Sequence, residues 1–196
     1  MTDRMGRRSK LDCDLETERF HLRRCGRLQA FFWTRGWRRD PELLEGLFQS
    51  PRSYTLLQWW FRGPRPNGRT RFAHAIVSKA SGEVIGLHVV VRRRDGSVAY
   101  CHVAIHDRAW WGQGVVVEVR ARMLSHFFAH GTERFVATID ARNAPSIFNY
   151  RRLGFRAIGN STTHNPDPAT GRGRPAVEME LRRKDWVAPG EDHHEL

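Results

Sequence analysis

The sequence contains little lysine, no patterned cysteines and no long apolar run. Only Lys10, Lys79 and Lys184 are lysines among the 196 residues, so arginine supplies nearly all of the positive charge behind a formal net charge of +12. The three cysteines show neither a C-x-x-C spacing nor an even number. This pattern excludes a disulfide-stapled secreted domain and favours free thiols in a reducing compartment.

Membrane segments and metal-ligand spacings are also absent from the sequence. No run approaches the ~20 apolar residues that a membrane-spanning helix needs. The basic N-terminus is followed by LDCDLETERF rather than by the apolar core of a signal peptide. His193 and His194 have no partner at metal-ligand spacing. We therefore expect a cytoplasmic protein that binds neither a membrane nor a metal.

The length and the hydrophobic content of 40% suit one well-buried core. We expect a flexible N-terminus over residues 1–14, a single domain over 15–186 and a polar tail over 187–196. The arginine excess has two interpretations. It reflects coding bias alone, or it attracts a polyanionic ligand, an acidic protein or RNA. Charge by itself does not choose between them.

The most informative stretch runs from Trp110 to Gly131, where a glycine-containing turn precedes an amphipathic helix. Residues 97–106 before it are rich in Val, Ile and Tyr and predict a strand. After Gly114, apolar residues recur at helical spacing as far as Phe128. A strand, a Gly-x-Gly turn and a helix N-terminus gather unpaired N–H groups and the positive end of the helix dipole, which suits an anion. A plain strand-to-helix connection has the same spacing, so both interpretations stay open.

Periodicity and turn signals predict the other elements and a mixed α/β domain of α+β type. Parallel pairing is expected only where a helix separates consecutive strands. Residues 160–175, rich in Gly, Pro and Thr, are expected to form a long loop. The predicted strands are 16–24, 70–79, 83–92, 97–106, 135–139, 155–158 and 177–181, and the predicted helices are 28–33, 41–47, 54–61, 115–130 and 144–153.

Two motifs carry a resemblance to a known family. A W-G-x-G turn followed by a glutamate in the helix occurs as Trp111–Gly114 and Glu118, and an N-x-x-S pattern ahead of Y-x-x-x-G-F occurs as Asn143, Ser146 and Tyr150–Phe155. In these motifs and in the order of its elements, the chain resembles the GNAT superfamily of acyl-CoA N-acyltransferases. Within it, the chain is similar to the RimJ/RimL branch, which acetylates ribosomal-protein N-termini.

This resemblance implies the GNAT fold, with a mixed, mostly antiparallel central sheet, and acetyl-CoA as the acyl donor without a metal. It implies that the backbone of 113–116 binds the coenzyme A pyrophosphate and that Asn143 hydrogen-bonds the pantetheine arm. The arm itself would pair with the strand backbone as an added strand does. The implied coenzyme-binding residues are Val103, Ile105, Gly112, Gln113, Gly114, Val115, Val116 and Asn143.

The resemblance also implies catalytic residues. Tyr150 would lie near the thioester sulfur as the general acid, and Ser146 is a second candidate. The strand glutamate common among relatives is missing here, and His102 is the best substitute base because an imidazole titrates near neutrality. A solvated or core histidine is equally compatible with His102. Val116 occupies a position where the family usually has Ala or Gly, and we expect it to crowd the diphosphate.

The sequence thus predicts an N-acetyltransferase in which an amine attacks the acetyl thioester directly and backbone N–H groups stabilise the oxyanion. The acceptor is a primary amine of a protein N-terminus or of a small molecule. The alternative is a non-catalytic basic domain of GNAT type that docks on RNA or the ribosome through arginine-rich faces such as 92–94.

Overall fold

A computed structural model describes residues 10–34, 37, 40, 41, 43, 66–166 and 171–188 of the chain. Their backbone forms one sheet of eight strands. In chain order these are β1 (Leu15–Glu16), β2 (Phe20–Arg24), β3 (Arg71–Ser78), β4 (Val84–Arg92), β5 (Val98–Ile105), β6 (Arg134–Asp140), β7 (Arg156–Pro166) and β8 (Gly173–Arg182). They lie in the order β1-β2-β3-β4-β5-β6-β8-β7, and each neighbouring pair is antiparallel except β5 and β6. The predicted mixed, mostly antiparallel sheet is confirmed.

The described ranges contain three α-helices: α1 (Arg27–Trp33), α2 (Val115–Ala129) and α3 (Ala144–Arg152). The main core lies between α2 and one face of the sheet. There the rings of Phe72 and Phe127, both fully buried, meet edge to face with centroids 5.0 Å apart. Burial of one such side chain contributes about 1.5–3 kcal/mol. None of these helices has both the length and the apolar character required to cross a bilayer.

The three-stranded meander and the helix after Gly114 agree with their predictions. The turn between β3 and β4 contains Gly82 with a φ of 72°, and the turn between β4 and β5 contains Gly96 with a φ of 80°. Glycine adopts such left-handed backbone without steric cost, which explains why both turns were readable as hairpin signals.

Two predictions about the strands at the edges of the sheet were wrong. The segment 16–24 is not one strand, because Thr17 N donates to the Phe20 carbonyl over 2.9 Å and turns the chain between β1 and β2. The segment 160–175 is not a long loop. It is largely an antiparallel pair, since β7 continues to Pro166 and β8 already begins at Gly173. The predicted helices 41–47 and 54–61 lie outside the described residues, apart from two positions of the first.

The parallel pair β5 and β6 separates part of the way along its length. Residues Val98–Tyr100 pair with Arg134–Val136, but beyond them β5 continues to Ile105 and β6 to Asp140 without pairing with each other. The gap opens at the carboxyl ends of both strands, where α2 and α3 also begin. In sheets with parallel strands this edge is the usual location of ligand sites.

Candidate active site in the gap between β5 and β6

A cleft of about 620 Å³ lies beside the point where β5 and β6 separate, with walls from the end of β5, the start of α2 and α3. Three of the eleven sequence-predicted site residues, His102, Gln113 and Tyr150, do not line it. The other eight do, and the structure therefore gathers them at one site: Val103, Ile105, Gly112, Gly114, Val115, Val116, Asn143 and Ser146.

The turn before α2 is built on two left-handed glycines. Gly112 has a φ of 74° and Gly114, the N-cap of α2, has a φ of 76°. A Cβ at either position would meet no atom within 4 Å, so backbone conformation rather than crowding requires glycine there. The helix has no side-chain cap, and its first N–H groups therefore remain available to a ligand. This geometry suits the phosphates of a bound anion.

An ion pair fixes the turn from outside the cleft. Arg19 Nε lies 2.7 Å from Glu118 Oε2, and the Arg19 backbone N–H donates to Glu118 Oε1 over 3.1 Å. Arg19 Nη2 also donates to the Gln113 carbonyl over 3.0 Å. Burial raises the pKa of Glu118, but hydrogen bonds from Thr17 and Arg19 outweigh that effect and lower it. Glu118 thus stays ionised, and Arg19 balances its negative charge beside the N-terminus of α2. The motif alone did not predict this ion pair.

Two side chains bond to the unpaired edge of β5 at its two ends. Trp111 Nε1 donates to the Ile105 carbonyl over 2.9 Å, and the Tyr150 hydroxyl donates to the Cys101 carbonyl over 3.0 Å. In an antiparallel strand alternate residues direct their backbone groups to the same side. Val103 therefore directs its N–H and carbonyl into the cleft, midway between the two occupied carbonyls.

Asn143 and Ser146 form the start of α3. The Asn143 side chain accepts a hydrogen bond from Ser146 N over 3.0 Å and is the N-cap of the helix. The N-x-x-S spacing is therefore a capping motif as well as part of the cleft wall. The Ser146 hydroxyl forms no hydrogen bond with any residue of the described ranges.

Tyr150 lies behind the cleft wall rather than in it. Its side chain is buried, and its hydroxyl donates to the Cys101 carbonyl. Cys101 Sγ lies 3.8 Å from the Tyr150 hydroxyl oxygen. Burial raises the pKa of the Tyr150 phenol well above its ordinary value. Its role as the general acid stays a prediction.

His102 projects from the opposite face of β5 to Val103, as adjacent strand residues do. It pairs with Val89, which packs against the small core around α1. Part of the imidazole is exposed, yet desolvation by the surrounding protein, followed by the positive charges of Arg120 and Arg71, lowers its pKa. The ring is therefore neutral at pH 7, which is the form that accepts a proton. Its role as the base also stays a prediction.

Arg120 is among the wall residues that the sequence analysis did not name as part of a site. Arg120 lines the cleft although its side chain is 3% exposed, and its guanidinium carbon lies 4.0 Å from the centre of the Tyr150 ring. The signal was present, because Arg120 follows Val116 by four residues and precedes Leu124 by four, which places it on the apolar stripe of α2. Within the described ranges, no cluster of three or more His, Cys, Asp or Glu side chains could hold a metal ion.

Known proteins resemble the chain in sequence and in fold. The family described as "Acetyltransferase (GNAT) domain" matches residues 19–156. The spermidine N-acetyltransferase of Vibrio cholerae, solved with CoA and spermine, has a TM-score of 0.71 at 15% identity, over 85% of this chain and 97% of that one. The ribosomal-protein-S5-alanine acetyltransferase of Vibrio fischeri has a TM-score of 0.71 at 18% identity, over 90% of this chain and 100% of that one.

A GNAT-family acetyltransferase of Bacillus anthracis has a TM-score of 0.70 at 13% identity, over 87% of this chain and 99% of that one. No curated protein matches the chain. The structural identities are low enough to show the fold alone, whereas the family match spans most of the chain and includes the glycine turn and both cleft helices. The chain therefore belongs to the GNAT family of N-acetyltransferases.

Proposed function

We propose that the chain transfers the acetyl group of acetyl-CoA to the primary amine of a protein N-terminus, as enzymes of the RimJ/RimL branch do. One observation carries the proposal: the left-handed Gly112 and Gly114 open an uncapped helix at the gap between β5 and β6. This arrangement offers an anion site and an unpaired strand edge in one cleft. A coenzyme A thioester has a diphosphate for the first and an amide-bearing arm for the second.

The donor would extend along β5. Its diphosphate accepts hydrogen bonds from the first turn of α2, and its pantetheine amides pair with the Val103 backbone as an added strand would. The Ile105 carbonyl already accepts from Trp111, so Val103 is the better partner for the arm. The thioester then lies toward the inner end of the cleft, near Ser146.

Acyl transfer needs a neutral amine and a proton for the departing thiolate. For the first task His102 is the candidate, because its lowered pKa keeps the imidazole able to accept a proton. Since it lies on the opposite face of β5 to Val103, this role requires the amine to approach the thioester from that face. For the second, Ser146 is preferred to Tyr150. Ser146 lines the cleft, whereas the Tyr150 hydroxyl is buried and already donates to Cys101. Backbone N–H groups other than that of Val103, which pairs with the pantetheine arm, would stabilise the developing oxyanion.

Charge favours a protein N-terminus over a polyamine as the acceptor. The two named relatives differ on this point, since one acetylates spermidine and the other an alanine of a ribosomal protein. A chain with a formal net charge of +12 repels a polycation and attracts substrates in an acidic setting. A non-catalytic domain that docks on RNA would use the same charge, but it would not require the glycine turn and the cleft.

The test measures CoA release from acetyl-CoA with short peptides that have a free N-terminal alanine or serine, with the same peptides blocked at the N-terminus, and with spermidine. We expect release with the free peptides alone. Release with spermidine only would overturn the acceptor assignment. If no amine gives release while RNA is retained at physiological salt, the docking function is correct instead.

A further inference from the structure

Arg120 is a buried positive charge without a counterion. Its side chain is 3% exposed, and neither Nε nor Nη1 has a hydrogen-bond partner. The contact with the Tyr150 ring, 4.0 Å from the guanidinium carbon to the ring centre, is the only stabilising interaction found for it among the described residues. A cation–π contact offsets only part of the cost of burying an unpaired charge. The site therefore lacks an anion.

The surroundings of Arg120 in the described part of the chain supply no such anion. On the sheet, the charge of Arg120 acts on His88, which is fully buried and has both ring nitrogens without a partner. Burial and the charge of Arg120 lower the pKa of His88, so the imidazole is neutral. The acidic residue of the same helix, Glu118, is paired with Arg19. Among the described residues, the cleft that Arg120 lines is therefore the route by which a carboxylate reaches it.

The position of Arg120 identifies which part of a donor it meets. The guanidinium stacks on Tyr150, whose hydroxyl bonds to Cys101, the first residue of β5 beyond its last pair with β6. The glycine turn lies at the other end, where Trp111 bonds to Ile105. Four residues of strand separate these points, which is about 13 Å. Arg120 is thus at the inner end of the cleft, away from the diphosphate.

We propose that the cleft, besides accepting acetyl-CoA, binds more tightly a short acyl-CoA whose acyl chain ends in a carboxylate, with Arg120 as the residue that binds this carboxylate. The inference rests on the proposed function, since it requires the thioester to lie at the inner end of the cleft. In the reaction, the amine nitrogen bonds to the thioester carbonyl carbon and the C–S bond breaks. The thiolate receives the proton that the amine loses, and the distal carboxylate is unchanged in the amide product.

The test compares succinyl-CoA with butyryl-CoA, because both carry four-carbon acyl chains and differ in the terminal carboxylate. Isothermal titration calorimetry of the full chain without an amine measures binding apart from turnover. We expect succinyl-CoA to bind roughly 10- to 150-fold more tightly, the range for a charge-assisted hydrogen bond in a buried site. Arg120→Met should abolish this preference, and Arg120→Lys should restore part of it.

Arg122→Met is the matched control. Arg122 lies two residues further along α2, is outside the cleft wall and donates to the Glu16 carbonyl. It should keep the preference for succinyl-CoA. A thermal melt shows whether Arg120→Met is folded, and since the change removes an uncompensated buried charge, we expect no loss of melting temperature.

Three results would overturn the inference. The first is equal affinity of the unaltered protein for succinyl-CoA and butyryl-CoA. The second is an equal loss of affinity for both in Arg120→Met, and the third is a change in that variant of the rate of CoA release alone. The last would assign Arg120 to stabilisation of the thiolate. Failure of the proposed function itself has a different signature, because then no CoA thioester binds and free CoA does not bind either.

Discussion

The glycine turn allows a test in which two substitutions carry the same strain and only one meets the ligand. Gly114 and Gly82 have φ values of 76° and 72°, and a Cβ at either would meet no atom within 4 Å. Gly114 caps α2 at the cleft, whereas Gly82 lies in the hairpin between β3 and β4. Gly114→Ala and Gly82→Ala therefore form a matched pair.

Both variants should lose similar stability. An L-residue in left-handed backbone costs roughly 1–2 kcal/mol, and in a chain of this size each kcal/mol lowers the melting temperature by about 2–4 °C. We therefore expect both melting temperatures to fall by about 2–8 °C. Similar shifts would show that the strain is equal and that differences in ligand binding have another cause.

Only Gly114→Ala should weaken the binding of acetyl-CoA. Gly114 lines the cleft where the diphosphate would lie, and relief of the strain would turn the first N–H groups of α2 away from it. Loss of one charge-assisted hydrogen bond costs about 1.5–3 kcal/mol, or a roughly 10- to 150-fold rise in Kd. Calorimetric titration measures it. If Gly114→Ala binds as tightly as Gly82→Ala, the turn does not hold the coenzyme.

Three further predictions concern the cleft and the core. Ser146→Ala should lower kcat at least tenfold with little change in melting temperature. Tyr150→Phe should keep most of its kcat but lose about 1–3 kcal/mol of stability, because it leaves the Cys101 carbonyl unpaired. The opposite pair of results would make Tyr150 the general acid. Val116→Ala should tighten acetyl-CoA binding in the same titration, because it widens the wall beside the diphosphate; weaker binding would show that Val116 supports the site. Burial lowers the pKa of His126 from 6.5 to about 4, so the unfolded chain takes up a proton first as the pH falls, and stability should decrease by about 3 kcal/mol between these pH values. His126→Gln keeps a donor for the Leu11 carbonyl and should lack this decrease when its free energy of unfolding is measured with urea at each pH. The same dependence of that free energy on pH in both proteins would contradict the prediction.

Local sequence signals were sufficient for the elements that surround the cleft. The three apolar runs of β3, β4 and β5 and the glycine turns between them predict a meander, and the apolar stripe after Gly114 predicts α2 within a residue or two. These signals are local because turn residues and the helical spacing of apolar side chains lie within a few positions of one another in the chain. The hairpin of β7 and β8 was missed, because its composition is that of a loop and its strand character comes from pairing.

The features that make the cleft were not readable, because each depends on contacts between distant residues. Nothing in β5 indicates that its pairing with β6 ends at Tyr100. The motif identified Glu118 but not its partner Arg19, which lies 99 residues earlier. Likewise, the spacing of Tyr150 predicted a catalytic position, while its burial against Cys101 follows from the packing of α3 on the sheet.

The bond between Arg19 and Glu118 has a consequence for the order in which the site becomes functional. Arg19 precedes β2 in the first hairpin of the chain and contacts both the first turn of α2 and the Gln113 carbonyl. The glycine turn is therefore complete only after β1 and β2 have docked on a helix that follows about a hundred residues later in the chain. Removal of that hairpin would disable the donor site without deleting any residue of the cleft wall. Conversely, a bound donor should protect the first hairpin from hydrogen exchange, so that the start of the chain reports on occupancy of a cleft it does not line.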